Sequence, residues 1–346
     1  MKFFLLKLVI TVCVLGIAIL AGFGYYGYTR YMTPAPNTAE KIITLGKGIG
    51  SQAIAEQLKA AQLISDKYVF MVAAKFGTPS DTLKAGEYQF PPHVLMTDVI
   101  LKLKKGDIYK RQFTIPEGYT SFEVLEKLRH VPDLAMGDVE TPAEGSVLPD
   151  TYQYAGGDSV ASRIVQMQGA LRALMDREWP KRDPNLPFTS EQEALTLASI
   201  VEKETGVATE RARIAGVFLN RLRQGIPLQS DPTVIYALTN GQPQNDGQGP
   251  LGRRLLAKDL ERDSPYNTYQ HAGLPPGPIA NAGKDAILAV LHPEPNDFLY
   301  FVADGTGGHV FAKTLAEHNQ NVAKWRQTRS VQQRVQEKET LPSGKD

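Results

Sequence analysis

Ser190-Glu-Gln-Glu-Ala-Leu-Thr-Leu-Ala-Ser-Ile-Val-Glu-Lys-Glu-Thr-Gly206 reads as one helix, and its last turn says most about what this chain can do. Ser190 and Glu193 match the reciprocal capping pattern of a helix start, and Gly206 stands where a helix would stop. Leu197, Ile200 and Val201 recur at i, i+3 and i+4 as an apolar stripe. Glu204 is the next residue on that stripe, at i+7. Glu202 is rotated roughly 160° away, at about 100° per residue. The pattern therefore predicts a carboxyl on an apolar face, at the negative end of a helix dipole. Both conditions disfavour the ionised form. A carboxyl still protonated near neutral pH is what a general acid needs.

The 346 residues suffice for two or three domains with real cores. A net charge of +1 without a dense Lys/Arg stripe argues against nucleic acid as a partner. Residues 1–30 stand apart. Leu8 to Tyr26 carries no charge and is long enough to span a bilayer, with Tyr25, Tyr26 and Tyr28 suited to the far interface. Lys2 and Lys7 favour a cytoplasmic N-terminus, and Arg30 weakens that bias. A cleaved signal peptide is the competing reading, but the apolar run is long for one and no clear A-x-A site follows. Cys13 is the only cysteine and lies in this segment. Val12 before it speaks against a lipoprotein signal. Residues 31–346 thus have neither disulfides nor thiol chemistry, which suits a domain outside the cytoplasm.

Thr33–Glu40 is a Pro-rich linker. Beyond it the pattern predicts a strand at 41–45, a turn with a cap at Gly48–Ser51, helices at 54–61 and 66–76, a strand at 83–90 and a helix at 96–104 ending near Gly106. This is a small β-α-α-β-α unit. A partial repeat follows: Gln112–Ser121 resembles the strand and turn at 41–51, and Phe122–Leu128 echoes Ala53–Leu58. Ser146–Tyr154 reads as a buried loop with aromatic anchors. Helices are expected at 161–179, 190–205 and 210–223, with a Pro-rich break at 180–187. Another helix should follow 227–231, with Asp231 as its cap and Pro232 at its first position. Phe298–Ala303 and His309–Lys313 should form a hairpin around Gly305-Thr-Gly-Gly308. The polar tail, 327–346, reads as a frayed helix followed by disorder.

No metal and no cofactor is expected. The six histidines, at 93, 130, 271, 292, 309 and 318, never fall in a tight ligand spacing. Carboxylates remain. Around Glu204 the sequence offers Gln229, Ser230 and Asp231 in a loop, the polar aromatic cluster Tyr266-Asn267-Thr268-Tyr269, and the stiff loop Gly273–Ile279. Such a density of hydroxyl, amide and ring groups suits a polyhydroxylated substrate. A two-carboxylate hydrolase would need a second acid across the sugar. Glu202 points the wrong way for that, so at most Asp231 qualifies.

Ile200–Thr205, Leu228–Tyr236, Tyr266–Tyr269, Gly273–Ile279 and Tyr300–Gly305, in this order, resemble the YceG-like family, the MltG-type endolytic murein transglycosylases. The likeness runs from the apolar segment to about residue 325. It departs in less constrained regions such as 180–187 and 242–249. The resemblance implies an α+β chain of five parts: a cytoplasmic tip and transmembrane anchor at 1–30, a linker at 31–40, a LysM-like subdomain at 41–107, a catalytic domain at 108–326 with a lysozyme-like active-site helix, and the tail. The family's catalytic Glu falls on Glu204, in Val201-Glu-Lys-Glu-Thr205. Gln229, Asp231, Tyr266, Asn267 and Thr268 are the candidates for holding the sugar, with Glu202 in support.

The reaction so implied is non-hydrolytic cleavage of the MurNAc-β-1,4-GlcNAc bond of peptidoglycan glycan strands. The implied location is the inner membrane, with the C-terminal domain periplasmic and peptidoglycan synthases as candidate partners. Two other readings stay open: a glycan-binding scaffold without activity, and a muramidase-type hydrolase. The first would not need Glu204 protonated; the second would leave reducing ends.

Overall fold

The computed structural model describes residues 2–76, 82–244 and 250–340, a mixed α+β chain of helices and three two-stranded sheets. The end of the polar tail, 341–346, and most of the expected family departure at 242–249 lie outside the described residues. The chain divides into two compact units. The first comprises residues 1–112 with 153–157, and the second comprises 113–152 with 158–346.

The first unit begins with helix α1 (Lys2–Met32). From Phe3 to Met32 it is apolar and long enough to cross a membrane, and no residue of that length is buried. Strand β1 (Lys41–Leu45) pairs antiparallel with β2 (Gly86–Phe90), Lys41 opposite Phe90 and Leu45 opposite Gly86. Helices α2 (Ser51–Ala60), α3 (Lys67–Lys75) and α4 (Met96–Lys105) complete the predicted β-α-α-β-α order. Leu45, Leu58, Leu63, Phe70, Tyr88, Phe90 and Leu103 form its core. Asp66 caps α3, accepting N–H bonds from Tyr68 and Val69. Gly106 ends α4 in the left-handed region at φ 70°. Ser51 is not the cap expected of it: Gly50 holds that place, without a side-chain bond.

The second unit opens with β3 (Arg111–Thr114), β4 (Thr151–Tyr154) and α5 (Ser121–Arg129); the boundary between units runs across both strands. Thr120 and Glu123 form a complete capping box on α5. The partial repeat is thus real as local structure, at a constant offset of 70 residues. Gly48 and Gly118 take φ of 79° and 75° three residues before their helices, where glycine bears no steric cost. Ile54, Ala55 and Leu58 are buried on α2 as Val124, Leu125 and Leu128 are on α5. Ser146–Tyr154 is only partly the loop expected, because its last four residues are β4. Alternation explains the strand: Tyr152 and Tyr154 point inward while Thr151 and Gln153 are exposed.

The core of this unit is built around α7 (Glu191–Glu204), against which α8 (Arg211–Arg223) and α10 (Lys284–Leu291) pack, while α6 (Val160–Glu178) packs against α10. Sequence reading missed α10. After Lys284 and Asp285 its last six residues form a short continuous apolar run, without the polar face that betrays a helix. Strands β5 (Tyr300–Ala303) and β6 (His309–Ala312) form the expected hairpin. Asp304 closes its turn by accepting N–H bonds from Thr306 and Gly308, at 2.6 and 3.1 Å. Helix α11 (Leu315–Thr340) runs without a break through the expected start of the tail at 327.

One contact tests the packing. Gly216 of α8 lies under the segment 294–298, which Asn220 holds through Nδ2 bonds to the carbonyls of Asn296 and Phe298, at 2.9 and 3.0 Å. A Cβ at Gly216 would stand 2.8 Å from the Glu294 carbonyl oxygen. Gly216→Ala should therefore destabilise the protein by about 1–3 kcal/mol, as overpacking does. A lowered thermal unfolding midpoint is the check; an unchanged one would show that the segment can move aside.

Candidate active site

Helix α7 is enclosed on all sides from Thr196 to Val201, rather than on one stripe. The helix starts as predicted, with a capping box between Ser190 and Glu193. It stops differently. Thr205, not Gly206, is the C-cap; it is extended at φ −143°, and its hydroxyl accepts the Val207 N–H at 2.9 Å. Glu204 is thus the last helical residue, half-buried at the wall of a pocket of ≈ 300 Å³.

Gln229, Asp231, Arg221, Tyr269 and His318 share that pocket with Glu204, over a floor of Phe218, Leu228 and Phe301. Ser230 Oγ donates to Glu204 Oε1 at 2.5 Å. Burial pushes the Glu204 carboxyl above the ordinary carboxylate range. The bond from Ser230 opposes this, the charge of Asp231 adds to it, and His309 and Arg221 work against it. The direction is that expected from the sequence, but Glu202 is raised as well, again chiefly by burial. What separates the two is what they face. Glu202 is locked inside, accepting the Gly283 N–H at 2.9 Å and lying 3.5 Å from Arg211. Glu204 faces space that a ligand can fill.

The loop at 227–231 owes its shape to two neighbours. Arg221, buried, donates from Nη1 to the carbonyls of Pro227 and Leu228, at 3.1 and 2.9 Å, and from Nε to the Leu299 carbonyl at 2.6 Å. Thr268 accepts the Ser230 N–H on its hydroxyl at 3.0 Å, and its carbonyl accepts the Gln229 N–H, also at 3.0 Å. Gln229 sits at φ 53°, a left-handed conformation that is uncommon for a residue with a side chain. Such strain persists only where surroundings hold it, as these bonds do.

The expected sugar-holding residues therefore divide. Gln229 and Asp231 line the pocket. Thr268 is buried behind it and holds the loop. Asn267 is buried too; its amide donates to the carbonyls of Leu260 and Arg262, so it shapes its own turn. Tyr266 packs on Tyr236, ring centroids 4.9 Å apart. From the Tyr-Asn-Thr-Tyr motif, Tyr269 is the residue that reaches the pocket, donating to Asp231 Oδ1 at 2.7 Å. Asp231 is not the cap of helix α9 (Asp231–Thr239), as expected, but its first residue. Ser230 occupies the cap position and spends its hydroxyl on Glu204 instead. The stiff loop 273–279 is fixed from α7, where Ser199 Oγ accepts the Ile279 N–H at 3.0 Å. Among the described residues, no three His, Cys, Asp or Glu side chains converge as a metal would require.

Comparison with known proteins gives the family. The model of the YceG-like family matches residues 43–324. The chain belongs to the YceG-like family. The endolytic murein transglycosylase of Bacillus subtilis strain 168 is 34% identical over 319 residues, covering 82% of this chain and 84% of that one. The endolytic murein transglycosylase of Streptococcus pneumoniae strain D39 is 31% identical over 89% of this chain, which spans only 63% of that longer protein. A crystal structure of a yceG-like protein from Listeria monocytogenes, 31% identical, aligns with a TM-score of 0.48 over 82% of this chain and 99% of that one. All five motifs quoted from the sequence lie within the residues this family model matches.

A carboxyl raised by burial makes the folded state favour its protonated form. That stability is fully present below the unfolded carboxyl pKa and is lost as pH rises through the folded one. Glu204→Gln should therefore unfold at a higher temperature than the parent protein near pH 7.5, and the difference should shrink as pH falls towards 4.5. Equal midpoints at both pH values would show that Glu204 ionises without cost.

Proposed function

We propose that this protein is a membrane-anchored endolytic peptidoglycan lytic transglycosylase. Its substrate is the glycan strand, cut at MurNAc-β-1,4-GlcNAc bonds to leave 1,6-anhydroMurNAc ends. The activity is supported by membership of the YceG-like family and by the names of the relatives. The observation that carries the assignment of the chemistry is Glu204: a carboxyl held towards its protonated form, fixed by Ser230, at the wall of an open polar pocket.

In the proposed reaction Glu204, protonated, gives its proton to the glycosidic oxygen as the C1–O bond breaks, and the GlcNAc portion leaves with a free hydroxyl. The MurNAc 6-hydroxyl then closes onto C1 and returns a proton to the Glu204 carboxylate. Acid and base are one group, and the nucleophile belongs to the substrate. The Ser230 hydroxyl stabilises the carboxylate between the two steps. Gln229 and Asp231 are placed to bind sugar hydroxyls, and Tyr269 orients Asp231 through its 2.7 Å bond. Tyr266, Asn267 and Thr268 act through the loops they hold, and Glu202 supports the same helix end from within the core.

For the rest of the chain, α1 serves as a single-pass anchor in the inner membrane, with residues 41–107 as a LysM-like glycan-binding subdomain and 108–326 as the periplasmic catalytic domain. Helix α7 takes the part of the lysozyme-type active-site helix. Synthases of the same glycan are partners by shared substrate.

One observation favours keeping a hydrolase in the test: Asp231, a second carboxylate, lines the same pocket. Product analysis on purified glycan strands decides. Anhydro ends are expected; reducing ends would make the enzyme a hydrolase, and intact strands would leave a binding scaffold. Glu204→Gln should keep the fold and lose about 10²–10⁴ in rate or more, since one group serves both steps. Glu202→Gln should retain most of its activity, because the Gly283 N–H can still be accepted by an amide oxygen. A well-folded, active Glu204→Gln protein would remove Glu204 from the mechanism.

A further inference from the structure

The last turns of α1 and the outer edge of α3 enclose a groove of ≈ 840 Å³, walled by Phe23, Tyr26, Tyr31, Tyr68, Val72 and Phe76. It is apolar and open. Tyr68, Val72 and Phe76 are 65%, 58% and 75% exposed, one turn apart along α3 and its C-cap, although the opposite side of α3 buries Phe70 completely. A soluble module gains nothing by presenting three such side chains in a row to water.

The groove is a fixed feature of the first unit. Tyr26 Oη donates to Asp66 Oδ2 at 3.1 Å, and Ser65 Oγ donates to the Arg30 carbonyl at 2.9 Å. Just past the helix, the Ala35 N–H donates to the Val94 carbonyl at 2.9 Å. The end of α1 is therefore tied to α3 and to the segment before α4, and where α1 meets a bilayer these elements must follow.

Helical rise fixes the depth. The uncharged run Leu8–Tyr26 is about 28 Å long at 1.5 Å per residue, close to the thickness of a hydrocarbon core. With Lys7 at one boundary, Phe23 and Tyr26 stand at the other, and Tyr28 and Tyr31 lie in the headgroup zone. Tyr68, Val72 and Phe76 share the groove with them and so lie at the same level. Charge agrees with this placement. Residues 31–112 contain eleven Lys and Arg against seven Asp and Glu, although the whole chain is nearly neutral. Lysines rim the apolar edge: Lys67 Nζ lies 5.3 Å from the centre of the Tyr68 ring, Lys104 Nζ donates to the Phe76 carbonyl at 2.7 Å, and Lys75 stands in the last turn of α3. Apolar and aromatic side chains ringed by lysine are the pattern of a surface that lies in the interface of an anionic bilayer.

We propose that the edge of α3 is a second membrane contact: Tyr68, Val72 and Phe76 insert among the phospholipids of the leaflet at the C-terminal end of α1, which fill the groove. This rests on α1 spanning the membrane. A single helix would leave the first unit free to swivel; two contacts, one spanning and one interfacial, would fix its attitude to the bilayer.

The test uses full-length protein carrying Cys13→Ser, in nanodiscs of phosphatidylcholine and phosphatidylglycerol. A nitroxide is placed singly on Val72→Cys, Phe76→Cys or Phe23→Cys, all exposed positions at which a label need not disturb the core. Expected is faster relaxation by oxygen than by a water-soluble nickel chelate at all three sites. Nickel-dominated relaxation at 72 and 76 with oxygen-dominated relaxation at 23 would overturn the proposal and leave the anchor standing. Nickel-dominated relaxation at 23 would sink the anchor and the proposal together. Spin–spin broadening between labels at 72 would show a second copy in the groove, and would also overturn it.

Discussion

The enclosure of α7 is the constraint on which the second unit turns. A helix buried at every position from Thr196 to Val201 has no free face there, so every polar group on that stretch needs a partner within the protein. Thr196 donates back to the Gln192 carbonyl and Ser199 to that of Thr196, while Ser199 also receives the Ile279 N–H. The helix cannot slide or rotate without breaking these bonds and the packing of α8 and α10 around it. Its final residue is fixed in space by everything that precedes it. Glu204 gains an orientation from this that a loop carboxylate would lack, and Ser230 completes it from the other side.

The sequence reading singled out Glu204 for a reason only partly right. Periodicity put it on a stripe and Glu202 on the opposite face. In the folded protein both faces are buried, and both carboxyls are raised by desolvation. Single-helix periodicity cannot foresee this, because it depends on α10, a helix whose apolar run carries no polar face to give it away. What divides the two acids is a partner: Arg211 and the Gly283 N–H for Glu202, an open pocket for Glu204. Local signals fared better. The capping boxes at Ser190 and Thr120, the left-handed Gly106 and the Asp304 turn depend on neighbouring residues alone, and the hairpin and the β-α-α-β-α order were legible for that reason.

The least legible residues act at long range. Arg221 joins the loop at 227–229 to the residue before β5, nearly eighty positions away. Asn281, fully buried, accepts the Val147 N–H and donates to the Tyr119 carbonyl and the Ser121 hydroxyl, drawing three distant segments together. Nothing in the sequence around either residue marks it, since a buried Arg or Asn is recognised only by the carbonyls and amides it satisfies. The Tyr266–Tyr269 cluster shows the same limit: composition marked it as functional, but only the fold shows that Tyr269 enters the pocket while Asn267 faces its own turn.

The boundary between the two units crosses the chain three times, at 112/113, 152/153 and 157/158, and each crossing falls within or just after β3 or β4. One cut cannot separate the units, because the five residues 153–157 belong to the first although they follow forty of the second. A transplant of the N-terminal unit onto another protein, or its replacement by a different module, would have to carry both strands or supply a substitute pair. Recombination at a single point would leave one strand without its mate. The two-stranded sheet thus makes the units inseparable as genetic modules, even though each has its own hydrophobic core.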